Sequence, residues 1–210
     1  MSFLQHGREE YPMLCLHPLF NLRESPKSAK KGRYASRHSL PYVAAKLLSE
    51  HYARIFSIQY NVETACLRYF NVYGPRQNLV SDYAAVVPSF ICRLVNREPP
   101  IIFGNGNLTR DFIFVNDVVN ATIGVMKDPA KGISNIASGR QTSMAMLAKK
   151  LMALFSIQGE PLYQAARAGD VYNTYADISH AAKAFGFRSA YSLEKRLKET
   201  VRYFQEHRVH

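Results

Sequence analysis

Ser39-Leu40-Pro41-Tyr42-Val43-Ala44-Ala45-Lys46, running on through Glu50 to Arg54, places a phenol and an amine one helical turn apart. Pro41 suits the first turn of a helix, where its missing N–H costs nothing, and Ser39 offers a side-chain cap to the amides that follow. Leu40, Val43, Ala44, Leu47, Leu48 and Ile55 recur at the i, i+3, i+4, i+7 spacing of a buried stripe. Tyr42 and Lys46 form a separate i, i+4 row on its flank, so both are expected to face something other than the core. An ammonium beside a phenol favours the phenolate and draws down a pKa of about 10, which lets Tyr42 take and return a proton near neutral pH. The spacing alone is weak evidence, because a half-exposed Tyr beside a solvated Lys is common on helices.

Two later stretches give the pair a context. Leu67-Arg68-Tyr69-Phe70-Asn71-Val72-Tyr73-Gly74-Pro75-Arg76-Gln77 is followed by Thr109-Arg110-Asp111-Phe112-Ile113-Phe114-Val115-Asn116-Asp117-Val118-Val119. Together with the Tyr-Lys helix these resemble the extended short-chain dehydrogenase/reductase family, and within it the nucleotide-sugar epimerases and dehydratases that act on UDP-hexoses. The resemblance runs from about Leu40 to the C-terminus. It implies an α/β fold, the C-terminal part of a Rossmann-type parallel sheet with a small α/β substrate-binding domain. It also implies NAD as cofactor, a UDP-sugar as partner and 4-epimerisation by Tyr/Lys acid–base chemistry with transient hydride transfer. Epimerase is preferred to dehydratase because the blocks around Asn71 and Arg110 look most like UDP-glucose and UDP-N-acetylglucosamine 4-epimerases.

Site roles follow from the same resemblance. Tyr42 is the implied base, and Lys46 lowers its pKa and binds the nicotinamide ribose. The backbone at Tyr69 and Phe70 lies against the nicotinamide, and Asn71 hydrogen-bonds the substrate diphosphate; without the resemblance Asn71 reads as a turn cap. Ala85 and Val86 line the uridine pocket, and Ile102 and Phe103 pack against the base, although on their own all four read as core. A planar guanidinium suits a diphosphate through paired hydrogen bonds, so Arg110 and Arg167 are the implied clamp. Asp111 is expected to hold backbone in place, and Asp170, in Arg167-Ala168-Gly169-Asp170, to orient its loop.

Around these blocks the local pattern is legible. Thr64 to Phe70 reads as a buried strand ending in a turn from Asn71 to Pro75. Tyr83 to Asn96 reads as a helix burying Ala84, Val87, Phe90, Ile91, Leu94 and Val95, with Pro88 in its first turns or at a kink. Pro100 to Phe103 reads as a short strand, and Gly104-Asn105-Gly106-Asn107 carries a hairpin signal. Asn116 or Asp117 is expected to cap a helix that turns Val118, Val119, Thr122, Val125 and Met126 inward. Gly132 to Ile136 reads as a strand. Thr142 or Ser143 then caps a helix packing Met146, Leu147, Leu151 and Leu154, and Ser192 to His207 forms an amphipathic helix around Leu193, Leu197, Val201 and Phe204.

Residues 1–36 do not share the resemblance. Gly7 is followed only by Gly32 before the Tyr-Lys helix, so no G-x-G-x-x-G turn can be written. The family's Ser or Thr, some two dozen residues before the Tyr, has no counterpart in Leu14-Cys15-Leu16-His17-Pro18-Leu19-Phe20. The expected organisation is a divergent or remnant N-terminal segment over 1–36, then over 37–210 the C-terminal part of an epimerase/dehydratase domain with its substrate-binding subdomain. The chain is expected to derive from a longer enzyme. A second reading, of a different class, is a catalytically silent remnant that binds UDP-sugar or pairs with a full-length relative, or a basic protein that binds a polyanion.

Composition bounds both readings. The 210 residues carry a net charge of +11, with the densest basic run at Lys27, Lys30, Lys31, Arg33 and Arg37. No RNA-binding signature or zinc-finger spacing accompanies that charge, so a solvated basic face is expected rather than a nucleic-acid site. Cys15, Cys66 and Cys92 are too scattered for a disulfide framework or a zinc site, and no metal site is expected. No apolar run reaches the ~18–20 residues of a membrane span. A cytoplasmic location and, as a partner, a second copy of the chain are the remaining expectations.

Overall fold

In the computed structural model the described residues are 13–18 and 41–79, with 13–18 and 41–43 described as backbone, together with 85–127, 132–167 and 173–207. Strand β1 (Met13–Pro18) is followed by helix α1 (Pro41–Tyr60), strand β2 (Thr64–Tyr69) and the two-residue strand β3 (Val72–Tyr73). Helix α2 (Val86–Val95), strands β4 (Ile101–Phe103), β5 (Thr109–Arg110) and β6 (Ile113–Phe114), and helix α3 (Val115–Lys127) come next. The chain continues through β7 (Gly132–Ile136), β8 (Thr142–Ser143), α4 (Met144–Leu154), β9 (Leu162–Gln164), α5 (Ser179–Phe185) and α6 (Leu193–Glu206).

The organising sheet is parallel, in the order β1-β2-β7, with β2 in the centre. Met13 pairs with Thr64 and Ala65 with Gly132. Because β1 and β2 are parallel, α1 must carry the chain back between them, and it ends at Tyr60 just ahead of Thr64; Asn61, at φ 52°, stops it. Alternation along β2 separates two faces. Ala65, Leu67 and Tyr69 turn toward α3, packing with Val118, Ala121 and Val125, whereas Arg68 meets α1.

The second apolar layer lies among α2, α4 and α6, where Phe90, Ile91, Leu94, Leu147, Leu151 and Leu197 are buried together. Ser143 caps α4 by accepting from the Met146 amide at 3.1 Å, and Ser192 caps α6 by accepting from the Lys195 amide at 3.4 Å. Leu197, Val201 and Phe204 of α6 are buried as their spacing predicts.

Several expectations are corrected. Leu48 and Ile55 are 55% and 50% exposed, because the inward line of α1 runs through Glu50 and Ala53, about 100° away for neighbouring positions. Helix α3 starts at Val115, so Asn116 and Asp117 lie inside its first turn rather than at the cap. Its inward line is Val118, Ala121 and Val125, which leaves Val119 and Met126 half exposed. Met146 is likewise exposed, since α4 buries Met144, Leu147, Ala148, Leu151 and Met152. The Gly104–Asn107 turn does not close a hairpin: β4 pairs in parallel with β9, and β5 pairs antiparallel with β8. Asn105 instead accepts from the Asn107 amide at 3.0 Å, with Gly104 and Gly106 at positive φ. Helix α2 begins at Val86; the expected start at Tyr83, with Ala84 inward, lies outside the described residues, as do the side chains of Leu40 and Val43.

Gly74 marks a close approach between the turn after β3 and the start of α3. A Cβ there would sit 2.5 Å from Val115 Cγ1 and 3.1 Å from Val115 Cβ, a branched side chain with little room to yield. Gly74→Ala is therefore expected to cost about 1–3 kcal/mol in urea unfolding, and Val115→Ala in the same chain to recover part of it. Strict additivity of the two substitutions would contradict the clash.

Candidate active site at the end of the central strand

Helix α1 runs opposite to β2, and one buried contact fixes their relative level. Arg68, one residue before the end of β2, donates Nε to Glu50 Oε1 at 2.7 Å and Nη2 to Glu50 Oε2 at 2.8 Å. Counting back along α1 from Glu50, Lys46 lies about 6 Å and Tyr42 about 12 Å further toward the N-terminus. Counting forward along the strand from Arg68, Phe70 lies about 7 Å and Asn71 about 10 Å further on. The backbone of Tyr42 and Lys46 is thus level with the residues that leave the carboxyl end of β2, where open parallel sheets carry their ligands. Lys46 is half-buried in that position.

The strand end is held on both sides. The Phe70 amide donates to the Ile136 carbonyl at 3.1 Å, and the Phe70 ring is buried with Ala137 and Ala176. The Tyr69 hydroxyl lies 3.0 Å from Thr122 Oγ1 of α3, and burial pushes its pKa up despite that bond. Tyr69 is accordingly a poor proton donor at neutral pH.

Asn71 links this end to the arginine strand. Its Nδ2 donates to the Asp111 carbonyl at 3.0 Å, and its own carbonyl accepts from the Ile113 amide at 3.2 Å, ahead of the parallel β3–β6 pair. Arg110 precedes Asp111 on β5, half-buried, with Nη1 donating to the Thr109 carbonyl at 2.9 Å. The Asp111 carboxylate is fully buried and accepts from Ser138 N at 2.8 Å, Ser138 Oγ at 2.6 Å and Gly139 N at 3.1 Å. Desolvation pushes its pKa up, while those donors pull it down. Asp111 does hold backbone in place, tying the loop after β7 to the Arg110 strand.

The remaining candidates gather around β4. The Arg167 guanidinium lies 3.7 Å from the centroid of the Phe103 ring, a stacked cation–π contact. Phe103 is half-buried and Ile102 is fully buried, while Ala85 is the extended residue before α2 and Val86 its first residue, both half-buried. The segment leaving Arg167 returns at Asn173, whose Oδ1 accepts from Thr109 Oγ1 at 2.8 Å; the next amide, Thr174 N, donates to the Thr109 carbonyl at 3.2 Å. Thr174 Oγ1 beside Thr109, and Gln77 Oε1 in the turn after β3, are buried without a hydrogen-bond partner. Asp170 and the Tyr42 side chain lie outside the described residues.

Two elements escaped the sequence reading. The Glu50–Arg68 pair had as its one signal a lone arginine inside an apolar strand. Asp117, read as a cap, is buried and accepts from Ser189 Oγ at 2.9 Å and Ala190 N at 3.1 Å, so it pins the loop ahead of α6. Among the described residues no group of three or more His, Cys, Asp or Glu could hold a metal ion, and no helix is long and apolar enough to cross a membrane.

Comparison with known proteins agrees with this fold. Residues 21–137 match the model of the NAD dependent epimerase/dehydratase family. A putative UDP-glucose 4-epimerase of Methanocaldococcus jannaschii is 35% identical over 165 residues, covering 79% of this chain and 53% of the relative. Among solved structures, UDP-glucose 4-epimerase from Thermotoga maritima with UDP-glucose superposes with a TM-score of 0.76 at 38% identity, over 80% of this chain and 54% of that one. UDP-N-acetylglucosamine 4-epimerase from Methanobrevibacter ruminantium, in complex with UDP-N-acetylmuramic acid, superposes with a TM-score of 0.82 at 34% identity, over 88% and 59%. The chain thus spans little more than half the length of the relatives it matches.

Proposed function

The chain belongs to the NAD dependent epimerase/dehydratase family, and from that premise we propose that it carries the proton-transfer and sugar-nucleotide side of a UDP-hexose 4-epimerase. The observation that carries this reading is the level of α1 on the sheet. By helical rise it brings the backbone of Tyr42 and Lys46 level with the Phe70–Asn71 exit of β2, which Asn71 ties to the Arg110 strand. Tyr42 is the acid/base on the sugar hydroxyl, and the Lys46 ammonium favours its phenolate. Asn71, Arg110 and Arg167 hold the diphosphate, Asp170 orients the Arg167 loop, and Ala85, Val86, Ile102 and Phe103 make the wall for the base.

The donors at the end of β2 fit the nicotinamide-riboside end of NAD: an ammonium for the ribose hydroxyls, a phenol, and the backbone of Tyr69 and Phe70. When bound, that cofactor would take a hydride from the sugar carbon and give it back. The sequence offers no glycine-rich turn for the pyrophosphate, and this favours a second reading. In it the 37–210 unit binds UDP-sugar but leaves turnover to a longer protein, with residues 1–36 as a divergent segment. Exposed Leu48, Tyr52, Ile55, Phe56 and Tyr60 along α1 offer a face for pairing with a second copy or a full-length relative. We place the protein in the cytoplasm.

Calorimetry of the 210-residue protein with UDP and NAD, together and apart, separates these readings. UDP is expected to bind, and Arg167→Ala to weaken it about 10- to 100-fold, the loss of a charge-assisted hydrogen bond. Absence of UDP binding sinks the nucleotide-sugar assignment. UDP binding without NAD binding selects the binding-only reading, and binding of both calls for the epimerase assay.

A further inference from the structure

Tyr42, Lys46 and Glu50 form one i, i+4, i+8 row on α1, and Glu50 is the buried carboxylate that reaches the sheet. Among the described side chains of α1 only Glu50 and Ala53 are buried, with 7% and 1% of their surface exposed. Ala53 presents a single methyl, so of these two side chains only Glu50 makes a directional contact with the sheet. The Glu50–Arg68 pair has the opposite character: two parallel hydrogen bonds at 2.7 and 2.8 Å between planar groups, with Arg68 4% exposed. A bidentate pair of that kind is satisfied at one rotation and one axial level. Burying two charges is a poor way to gain stability compared with apolar packing, and the best-attested use of such a pair is to set register.

We infer that the Glu50–Arg68 ion pair is the register lock of α1, two positioning residues that set where Tyr42 and Lys46 stand over the end of β2. Arg68 is suited to the task because it precedes the residues that line the site. Its strand is fixed on the other face by the Tyr69–Thr122 hydrogen bond, and Thr122 in turn donates to the Val118 carbonyl at 2.9 Å. The inference rests on the acid/base reading of Tyr42 for its chemical consequence, but not for its structural one, and the two can be tested apart.

Two variants are needed. Glu50→Gln keeps the shape and loses the charge, while Glu50→Met with Arg68→Met replaces the pair by apolar groups and leaves no buried charge unpaired. Hydrogen exchange of residues 42–49 is expected to quicken at least about tenfold in both, with residues 193–206 unchanged. With tyrosine labelled at Cζ and Tyr42→Phe to assign its signal among the 13 tyrosines, the Tyr42 phenol is expected to titrate about one unit higher in both variants than in the parent. Simple electrostatics predicts the reverse for Glu50→Gln, because removing a negative charge favours the phenolate. Unchanged exchange in both variants overturns the lock. Faster exchange with the Tyr42 titration unmoved from a lowered parent value overturns the positioning role. If the parent Tyr42 already titrates near 10 and exchange still quickens, the lock stands and the acid/base reading of Tyr42 fails.

Discussion

Asp111→Ala is expected to lower the unfolding free energy by about 3–5 kcal/mol, because it removes a buried carboxylate that several donors share. Ser138 N, Ser138 Oγ and Gly139 N lose an acceptor at 2.6–3.1 Å, and Ala176 N loses a weaker one at 3.5 Å. The Asp111 side chain is fully buried, while Ser138 and Gly139 are half-buried above it. Asp111→Asn keeps one acceptor oxygen and is expected to cost less. Urea unfolding at neutral pH measures both, and a loss under about 1 kcal/mol for the alanine variant would mean that the loop after β7 finds other partners. The carboxyl also leaves a mark on the pH dependence. Burial raises its folded pKa, so the folded chain holds this proton more tightly than the unfolded chain. Its contribution is fully present below the unfolded pKa of about 4 and is lost as pH rises through the folded value. Asp111→Asn should flatten that decline.

Arg68→Ala is expected to cost a similar amount, about 3–5 kcal/mol, for a different reason. It leaves the Glu50 carboxylate beneath α1 without the guanidinium that grips both of its oxygens. Replacing both partners with methionine removes the stranded charge and is expected to come out near neutral. Comparing the single and double variants in urea therefore separates the penalty of a buried ion that has lost this partner from the net worth of the pair. A double variant as unstable as Arg68→Ala would mean that the pair stabilises the fold outright.

What could be read from the sequence was whatever is decided locally. Thr64 to Phe70 announces a strand through an apolar run broken only by Arg68, and Ser143 and Ser192 announce caps through their position before a periodic stretch. Facing was harder. Leu48, Ile55, Val119 and Met126 satisfy a helical apolar pattern, yet the line each helix buries is chosen by its partner, and on α1 that partner is Arg68. Charged residues read as solvated by default, which hid Glu50, Arg68 and Asp117. The β4–β9 and β5–β8 pairs join strands far apart in the chain, so the nearby Gly104–Asn107 signal suggested a hairpin instead. Of the candidate site, the Asn71 and Arg110 blocks and the Phe103–Arg167 neighbours came together, whereas Asp170 and the Tyr42 phenol lie outside what the structure describes.

The central place of β2 also sets a timetable for the chain as it is made. Its neighbours arrive at opposite ends of synthesis: Met13 is already out when Thr64 emerges, but Gly132 follows long after Ala65. Until then one edge of β2 and the Ala65–Leu67 face that awaits α3 are open to the surroundings. Non-local parallel pairing is slow to form, so the nascent chain passes through a prolonged stage in which its central strand is half-dressed. Expression yield should therefore depend on chaperone supply and temperature more steeply than the stability of the finished fold would suggest.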